Sequence, residues 1–406
     1  MKRRLSIVVL VVPALAGSAF AQDADLATLL QAPVEIERAE DTTVIPVERR
    51  FGKLHVTAAV NGVERSFLFD TGSPTVISRE LADELGLETV ATNRGRDANG
   101  TVVEMEFAVA ETITLGGVTF HDVPVLIYDF SQTPMGDCVF DGGHIGSEIF
   151  PNSIWQFDMV ANELRISAPQ NTPSYTPSGR FSARLLDAGY PHAPIVEYRI
   201  GSVADRALFD TGSGAGISLF DDLLENPDVA RGVDAGSLRE GRGSMGTSAG
   251  GEGAETALLR FDFDALELGG DRLTGVPGEN RAIPPTLLGT ALLDRYRVTL
   301  NYPAGYAIFD PLPNPRNTRP HPGFGISFRE DVAVVSQLFN GSAAESAGVR
   351  LGDQVLAIDS FEFGGRDAAG RCEAMVAMTD GGLLSAAREI TVSRNGEAQV
   401  LRLTAD

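Results

Sequence analysis

The chain has 406 residues, 43% of them apolar and 22% charged, and a formal net charge of −22 at pH 7. This length is too great for one ordinary hydrophobic core and predicts two or three globular domains. The acidic balance excludes electrostatic binding of nucleic acid or of an anionic membrane surface, because like charges repel.

The N-terminus has the residue order typical of a secretory signal. Residues 2–4 are basic, an apolar run follows, and Ala19-Phe20-Ala21 is a small-residue cleavage pattern. We expect residues 1–21 to be removed and the mature chain, which then starts with an N-terminal segment over residues 22–44, to be periplasmic or secreted. A retained anchor is the alternative, but the apolar run is shorter than a span needs, so we expect no stable membrane span after cleavage.

The first predicted elements form a hairpin. Asn61-Gly62 is typical of a tight turn between two strands, here residues 53–60 and 64–69. The second strand delivers Asp70 to a turn at its end.

A helix, one further hairpin and a loop follow. Ser78 and Gly86 are residue types that cap a helix, which predicts one over residues 79–85. Asn99-Gly100 predicts another hairpin, and the Gly- and Ser-rich stretch at residues 239–254 predicts a mobile loop or flap in the second half.

A duplication organises the middle of the chain. Residues 66–73, SFLFDTGS, return as residues 206–213, RALFDTGS. Each copy is followed by an apolar-Gly pair, at Gly146 and at Gly289. The repeat predicts two equivalent β-rich lobes whose matching ends lie face to face.

Two facing carboxylates can hydrolyse a peptide bond without a metal or a nucleophilic side chain. If Asp70 and Asp210 lie close together they cannot both ionise easily, so they share one proton. One then takes a proton from water and the other gives one to the carbonyl oxygen, and the sequence does not assign the two roles. We expect the hydroxyls of Ser73 and Ser213 to lower the pKa values of the pair and to weight activity toward acidic pH.

The paired motifs resemble the pepsin and retropepsin superfamily of aspartic proteases over roughly residues 45–312. The resemblance implies a mainly β, bilobal, pseudo-twofold acid-protease fold, with lobes at residues 45–170 and 171–312. It also implies an aspartic endopeptidase that cleaves extended polypeptides with water activated between Asp70 and Asp210, without cofactor or metal. The loops that carry this pair would be interlocked and supported by two sets of residues: Thr71, Gly72, Ser73 and Gly146, and Thr211, Gly212, Ser213 and Gly289.

Two features depart from the pepsin pattern. His144 stands where the family has an apolar residue, and no tyrosine occurs between Ser73 and Ile127. The flap is therefore better compared with that of retropepsins, with both halves fused in one chain.

Other interpretations compete with this one. A single Asp-Thr-Gly is often only a turn, but two extended copies disfavour that reading. The Gly-x-Ser-x-Gly pattern at residues 246–250 lies in a run of glycines without the strand and helix that a serine nucleophile needs. The five histidines lack metal-site spacing, and a bridge between Cys138 and Cys372 is left open. A non-catalytic envelope scaffold that binds peptides is the alternative from another class.

The C-terminal part is a separate module. A proline-rich linker is predicted at residues 313–320. Residues 321–406 resemble a bacterial PDZ domain, an α+β fold, through Gly323-Phe324-Gly325-Ile326 and the later Leu351-Gly352-Asp353. The resemblance implies that this first loop offers backbone N–H groups to the C-termini of peptides or proteins. Packing of the module against the protease body is the alternative.

Overall fold

The computed structural model describes residues 28–171, 180–315 and 322–403. The chain is mainly β, which confirms the predicted fold class. The predicted signal peptide and most of the predicted linker lie outside the described residues. No helix among the described residues is long and apolar enough to cross a membrane.

The first lobe is built on a nine-stranded sheet. Asn61 and Gly62 both have positive φ, as the tight hairpin turn requires, and Asp70 follows the returning strand directly. The strands of this sheet are Glu35–Arg38, Glu48–Arg50, Lys53–Val60, Val63–Phe69, Val76–Ser78, Ala91–Arg96, Val102–Leu115, Val118–Tyr128 and Gly143–Ile145.

The predicted helix is present at Arg79–Leu85. The Ser78 hydroxyl accepts a hydrogen bond from the amide of Leu81, and Gly86 ends the helix in the left-handed region at φ 63°. Leu81 is buried and anchors the helix on the lobe's core.

One sheet joins the two lobes. Ile154–Asp158 of the first lobe pairs antiparallel with Tyr296–Asn301 of the second. Outward from this central pair the sheet continues through Glu163–Ser167 and Thr42–Pro46 on one side and through Tyr306–Pro311 and Phe181–Leu186 on the other. The strand at Thr42–Pro46 begins inside the predicted N-terminal segment, so that segment contributes to the fold.

The second lobe repeats the first. Val203–Phe209 pairs in parallel with Thr286–Leu288, as Val63–Phe69 pairs with Gly143–Ile145. The other strands of this lobe are Ile195–Ile200, Ile217–Phe220, Arg239–Ser244, Thr247–Ser248, Gly251–Glu252, Glu255–Phe263, Leu266–Leu268, Asp271–Leu273 and Val276–Arg281.

Aromatic residues pack where the lobes meet. The ring of Phe69 lies 5.8 Å from that of Phe150 and 5.9 Å from those of Trp155 and Phe157. Phe157 in turn contacts Phe209 of the second lobe at 5.8 Å. Because Phe69 and Phe209 immediately precede the two aspartates, this buried cluster fixes both strand ends that carry them.

The C-terminal module has its own hydrophobic core, which includes Phe324, Val335 and Ile358. Its strands are Phe324–Arg329, Val332–Phe339, Gln354–Ile358, Phe361–Glu362, Glu389–Arg394 and Glu397–Arg402. The helices of the module are Ala343–Ser346, Ala368–Thr379 and Leu383–Ala386. The lobes have short helices at Gly136–Val139, Asp221–Leu224 and Pro227–Ala230. They also have 3-10 helices at Phe130–Gln132 and Thr290–Asp294.

The module packs against both lobes. A disulfide joins Cys138 of the first lobe to Cys372 of the module, a bridge that the sequence left open. Gly241 to Gly243 of the second lobe pair antiparallel with Gln337 to Phe339 of the module. A Cβ on Gly243 would lie 2.1 Å from the Ser336 carbonyl oxygen, so only glycine permits this close approach.

Candidate active site

Equivalent strands place Asp70 and Asp210 at equivalent turns. The Asp70 amide donates to the carbonyl of Ile145 at 2.9 Å, and the Asp210 amide donates to the carbonyl of Leu288 at 2.8 Å. These matching bonds place the aspartates on the two sides of the pseudo-twofold axis. The tertiary fold thus brings together two residues that are far apart in the sequence.

The glycines of the two motifs fit against the opposite aspartates. Each amide donates to the carboxylate of its own motif, Gly72 to Asp70 at 2.9 Å and Gly212 to Asp210 at 2.7 Å. A Cβ on Gly72 would lie 2.6 Å from the carboxyl carbon of Asp210. The absence of a side chain at this position therefore lets the two carboxyl groups approach each other.

The two threonines interlock the loops. The Thr71 amide donates to the Thr211 hydroxyl at 3.0 Å, and the Thr211 amide donates to the Thr71 hydroxyl at 3.1 Å. Each hydroxyl also donates across the axis, Thr71 to the carbonyl of Phe209 and Thr211 to that of Phe69. Both side chains are fully buried, so these bonds are shielded from water.

Gly146 and Gly289 support the same loops from below. A Cβ on Gly146 would lie 2.3 Å from the Ser73 carbonyl oxygen, and one on Gly289 would lie 2.6 Å from that of Ser213. The next residue in each segment donates its amide to the same carbonyl, Ser147 at 3.0 Å and Thr290 at 2.9 Å. The repeat is therefore conserved in its contacts as well as in its sequence.

The carboxyl groups of Asp70 and Asp210 lie beside each other, because a Cβ on Gly212 would lie 2.8 Å from the carboxyl oxygens of Asp70 and 2.9 Å from one of Asp210. Burial, followed by the negative charge of Asp70, raises the pKa of Asp210 above its ordinary value. Lys53 opposes this rise through its positive charge. A carboxyl pair of this kind holds one proton between two acceptors, which suits simultaneous acid and base action.

The expected serine contacts are absent from this pair. Among the described residues the buried Ser73 hydroxyl has no hydrogen-bond partner, and the Ser213 hydroxyl pairs with that of Ser218 at 3.4 Å. The expectation that these hydroxyls lower the pKa values of the pair is therefore wrong for Asp210, where burial and the charge of Asp70 dominate.

His144 takes a structural position beneath the first loop. Its Nε2 donates to the Pro74 carbonyl at 3.0 Å, since a carbonyl oxygen only accepts. Burial lowers the pKa of His144 to about 4, so the ring is neutral at ordinary pH. This contact explains how a polar residue replaces the apolar one that the resemblance implied.

Sequence reasoning missed Glu148, which is buried beside the same loop. One carboxyl oxygen accepts the Thr75 amide at 2.9 Å, and burial raises the pKa of Glu148 to about 7. The only sequence signal was its position two residues after Gly146.

Two cations near the pair were also missed. The Lys53 ammonium donates a hydrogen bond to the Gly212 carbonyl. The guanidinium of Arg281 donates to the Ile283 carbonyl at 2.5 Å and interacts electrostatically with Asp210. A cation at the start of Lys53–Val60, the first strand of the hairpin that delivers Asp70, was the available signal for Lys53.

Two hairpins, one from each lobe, bind each other at their tips. The Gly250 amide donates to Asp97 at 2.8 Å, the Ala98 amide donates to the Ser248 hydroxyl at 3.2 Å, and the Asn99 amide group donates to the Gly246 carbonyl at 3.1 Å. Ser248 is the last residue of the strand Thr247–Ser248, which forms a hairpin with Gly251–Glu252. The helix that must follow a nucleophilic serine is therefore replaced here by a strand.

The predicted carboxylate loop of the module leads into its first strand. Gly323 has φ +81°, Phe324 is buried, and Gly325 and Ile326 are partly buried. Phe324–Arg329 pairs along one edge with Val332–Phe339. No other described strand pairs with its second edge.

Within the described ranges there is no cluster of His, Cys, Asp and Glu that could hold a metal ion.

Two comparisons find similarity in the part of the chain that contains the two lobes. Residues 56–149 match the family model described as Aspartyl protease, and this match supports a protease function. No curated protein matches the chain. A solved structure, the aspartic proteinase from Irpex lacteus, aligns with a TM-score of 0.42 at 12% identity over 67% of this chain and 98% of that chain.

Proposed function

We propose that the chain is an aspartic endopeptidase of the periplasm or of the secreted fraction, which hydrolyses extended polypeptides with water activated between Asp70 and Asp210. The observation that carries this proposal is the close approach of the two carboxyl groups at equivalent ends of two duplicated lobes, where a Cβ on Gly212 would lie 2.8 Å from Asp70 and 2.9 Å from Asp210. The match of residues 56–149 to an aspartyl protease model supports the same reaction class.

A dyad with one shared proton supplies both chemical roles. The two carboxyl groups titrate as a pair, so the ionised carboxylate of the dyad is the base and its protonated carboxyl is the acid. The carboxylate takes a proton from water as the water oxygen attacks the peptide carbonyl carbon, while the carboxyl gives its proton to the carbonyl oxygen. Return of a proton to the amide nitrogen then releases the amine as the C–N bond breaks.

The hairpins define the shape of the substrate. In this proposal the joined tips that contain Asp97 and Gly250 cover the cleft, so a bound chain must be extended and must enter when these contacts open. Such a lid excludes water and strengthens the electrostatic interactions with the dyad. The rival function, a scaffold that only holds peptides, needs the cleft but not the shared proton.

The test is mass-spectrometric mapping of peptide-library cleavage by the mature chain, with Asp70→Asn and Asp210→Asn as variants. Both variants keep the side-chain shape but lose the shared proton, and we expect each to lose at least about 10³-fold in kcat, since acid–base catalysis contributes on this scale. Asp83→Asn, on an exposed helix face, is the matched control and should keep full activity. Cleavage that survives in either dyad variant contradicts the proposal, and binding without turnover favours the scaffold.

We also propose that the module binds free C-termini through residues 323–326 and the unpaired edge of Phe324–Arg329. Fluorescence anisotropy with peptides that carry either a free or an amidated C-terminus tests this. Tighter binding of the free acid supports the proposal, and equal binding contradicts it.

A further inference from the structure

Lys53 is an unusual residue in this chain. The sequence contains two lysines, Lys2 and Lys53, and every other cationic side chain that is permanently charged is an arginine. Lys53 begins the strand Lys53–Val60, whose hairpin partner delivers Asp70. It is therefore the only lysine that follows the expected signal peptide.

The Lys53 ammonium lies at the centre of the candidate site. It donates to the carbonyl of Gly212, and a Cβ on Gly212 would lie 2.8 Å from the carboxyl oxygens of Asp70. This contact crosses the pseudo-twofold axis, because Lys53 belongs to the first lobe and Gly212 to the second. An extended peptide beside the dyad passes close to this ammonium.

Cations lie beside the dyad of this acidic protein. The charged or titratable groups close to Asp210 are Asp70, Lys53, Arg281 and His144. His144 is neutral because burial lowers its pKa to about 4, and the charge of Glu279 offsets that of Arg281. The Lys53 ammonium is therefore the group of this set that can attract an anionic side chain.

The C-terminal module holds the turn that carries Lys53. The amides of Phe51 and Gly52 both donate to the carboxylate of Asp380, at 2.7 and 2.8 Å. Asp380 caps the C-terminus of the helix Ala368–Thr379. The disulfide at Cys372 ties this same helix to the first lobe, so Asp380 is fixed relative to the turn.

The second lobe lacks an equivalent cation. His55 pairs with Leu68 in the first lobe, and Ile195 pairs with Leu208 at the matching place in the second. His55 and Ile195 are therefore equivalent positions of the two lobes. Lys53 and Ala193, each two residues earlier in the chain, are equivalent as well. The two lobes therefore differ in charge at this matching position.

We propose that Lys53 is a specificity-determining residue that selects polypeptides with an acidic side chain on one side of the scissile bond, and that Asp380 of the C-terminal module is the residue that positions it. This inference rests on the proposed endopeptidase function. A substrate carboxylate replaces the Gly212 carbonyl as the partner of the ammonium and forms a charge-assisted hydrogen bond. The neutral amide of Gln or Asn cannot match this interaction.

The test compares kcat/KM for peptide pairs that differ only by Glu or Gln at each position around the cleaved bond. For the wild type we expect kcat/KM to be at least about tenfold higher for the Glu peptide than for the Gln peptide at one position. This is the size of effect that a hydrogen bond to a charged group produces. Lys53→Met should bring this ratio near one, through KM more than kcat, whereas Lys53→Arg should retain much of it. Asp380→Ala should reduce the ratio in the same way.

Asp359→Ala is the matched control for Asp380→Ala. Asp359 also accepts two backbone amides within the module, from Arg388 and Glu389, but lies in the turn after Gln354–Ile358. We expect this variant to keep the wild-type ratio. A ratio that falls equally in both variants overturns the positioning role of Asp380.

A second measurement does not depend on a substituted protein. Reductive methylation with ¹³C-formaldehyde labels Lys53 as the one lysine of the mature chain, beside the N-terminal amine. Its NMR signal should shift with a non-cleavable Glu peptide and much less with the Gln peptide. Wild-type cleavage with no Glu preference, or equal shifts, overturns this inference while the endopeptidase function stands; absence of dyad-dependent cleavage overturns both.

Discussion

Thr71 and Thr211 hold each other across the pseudo-twofold axis, with each amide bonded to the other's hydroxyl at 3.0 and 3.1 Å. Because each hydroxyl also donates to a carbonyl of the opposite lobe, the pair joins both active-site loops through four buried hydrogen bonds. The dyad geometry therefore depends on contacts that lie beneath the carboxylates.

Thr71→Val should destabilise the protein by about 1–3 kcal/mol, because valine leaves the buried amide of Thr211 without an acceptor. The Thr71→Val and Thr211→Val double variant should lose less than the sum of the single losses, since both remove the same network. Denaturant unfolding measures these changes. Thr119→Val, which breaks a hydroxyl pair with Thr114 far from the dyad, is the control and should change stability by less. Additive losses at 71 and 211 would contradict the network.

Gly72→Ala should lower kcat by at least about tenfold, because the added Cβ would lie 2.6 Å from the carboxyl carbon of Asp210 and must displace it. The control is Gly214→Ala in the second loop, where a Cβ meets nothing within 4 Å. Steady-state kinetics of both variants tests this. Equal activities would show that the dyad does not require the close approach at residue 72.

The contribution of two buried carboxyl groups to stability should fall as pH rises from about 4.5 to about 7.5. Burial raises the pKa of Glu148 to about 7, and the pKa of Asp210 is raised as well. The folded state therefore retains protons that the unfolded state has lost, and each group contributes at most about 1.4 kcal/mol per pH unit. Their stabilising effect is complete at pH values below the pKa values of the unfolded state. It is lost as pH rises through the pKa values of the folded state.

Glu148→Gln and Asp210→Asn should each flatten this decline, which denaturant unfolding at a series of pH values measures. His55 and His144 act in the opposite sense below about pH 6.5, because burial lowers the pKa of each to about 4 and protonation favours the unfolded state. Between about pH 6.5, the unfolded pKa of histidine, and about pH 7.5 the remaining decline comes from the two carboxyl groups. An unchanged slope in both variants would contradict the assignment.

Reduction of the disulfide between Cys138 and Cys372 should lower stability by about 2–5 kcal/mol, because the bridge closes a loop across a sequence separation of 234. The double variant Cys138→Ser, Cys372→Ser should behave like the reduced wild type and should not respond to reductant. Unfolding curves with and without reductant test both statements. Identical curves for oxidised and reduced wild type would show that the bridge does not constrain the module.

Glu252→Gln should raise KM by several-fold and leave kcat nearly unchanged. Glu252, at the tip of the second hairpin, binds Ser327 at 2.8 Å and Arg329 at 2.6 Å, and its side chain is only 16% exposed. Loss of the ion pair loosens the hairpin tip, although Gly241 to Gly243 still pair with the module, and we expect this to weaken the closed cleft. Glu255→Gln on the same hairpin breaks a more exposed pair with Arg242 and should have little effect. Similar KM values for both variants would contradict the role of the module contact.

The sequence by itself determined the features that depend on a few neighbouring residues. The Asn61-Gly62 hairpin and the capped helix Arg79–Leu85 follow from local backbone preferences, and the mainly β fold follows from short alternating strands. The duplicated motif likewise indicated Asp70 and Asp210, because two copies in the same register require two equivalent turns.

The tertiary structure decided the contacts between segments that are distant in the sequence. The serine hydroxyls were expected at the dyad, but their direction depends on packing around each loop, and the Ser213 hydroxyl faces Ser218 instead. Lys53 reaches Gly212 only because the lobes pair across the axis, and Asp380 reaches the preceding turn only because the module docks beside it. Such contacts have no sequence period, since they follow from how separately folded surfaces fit together.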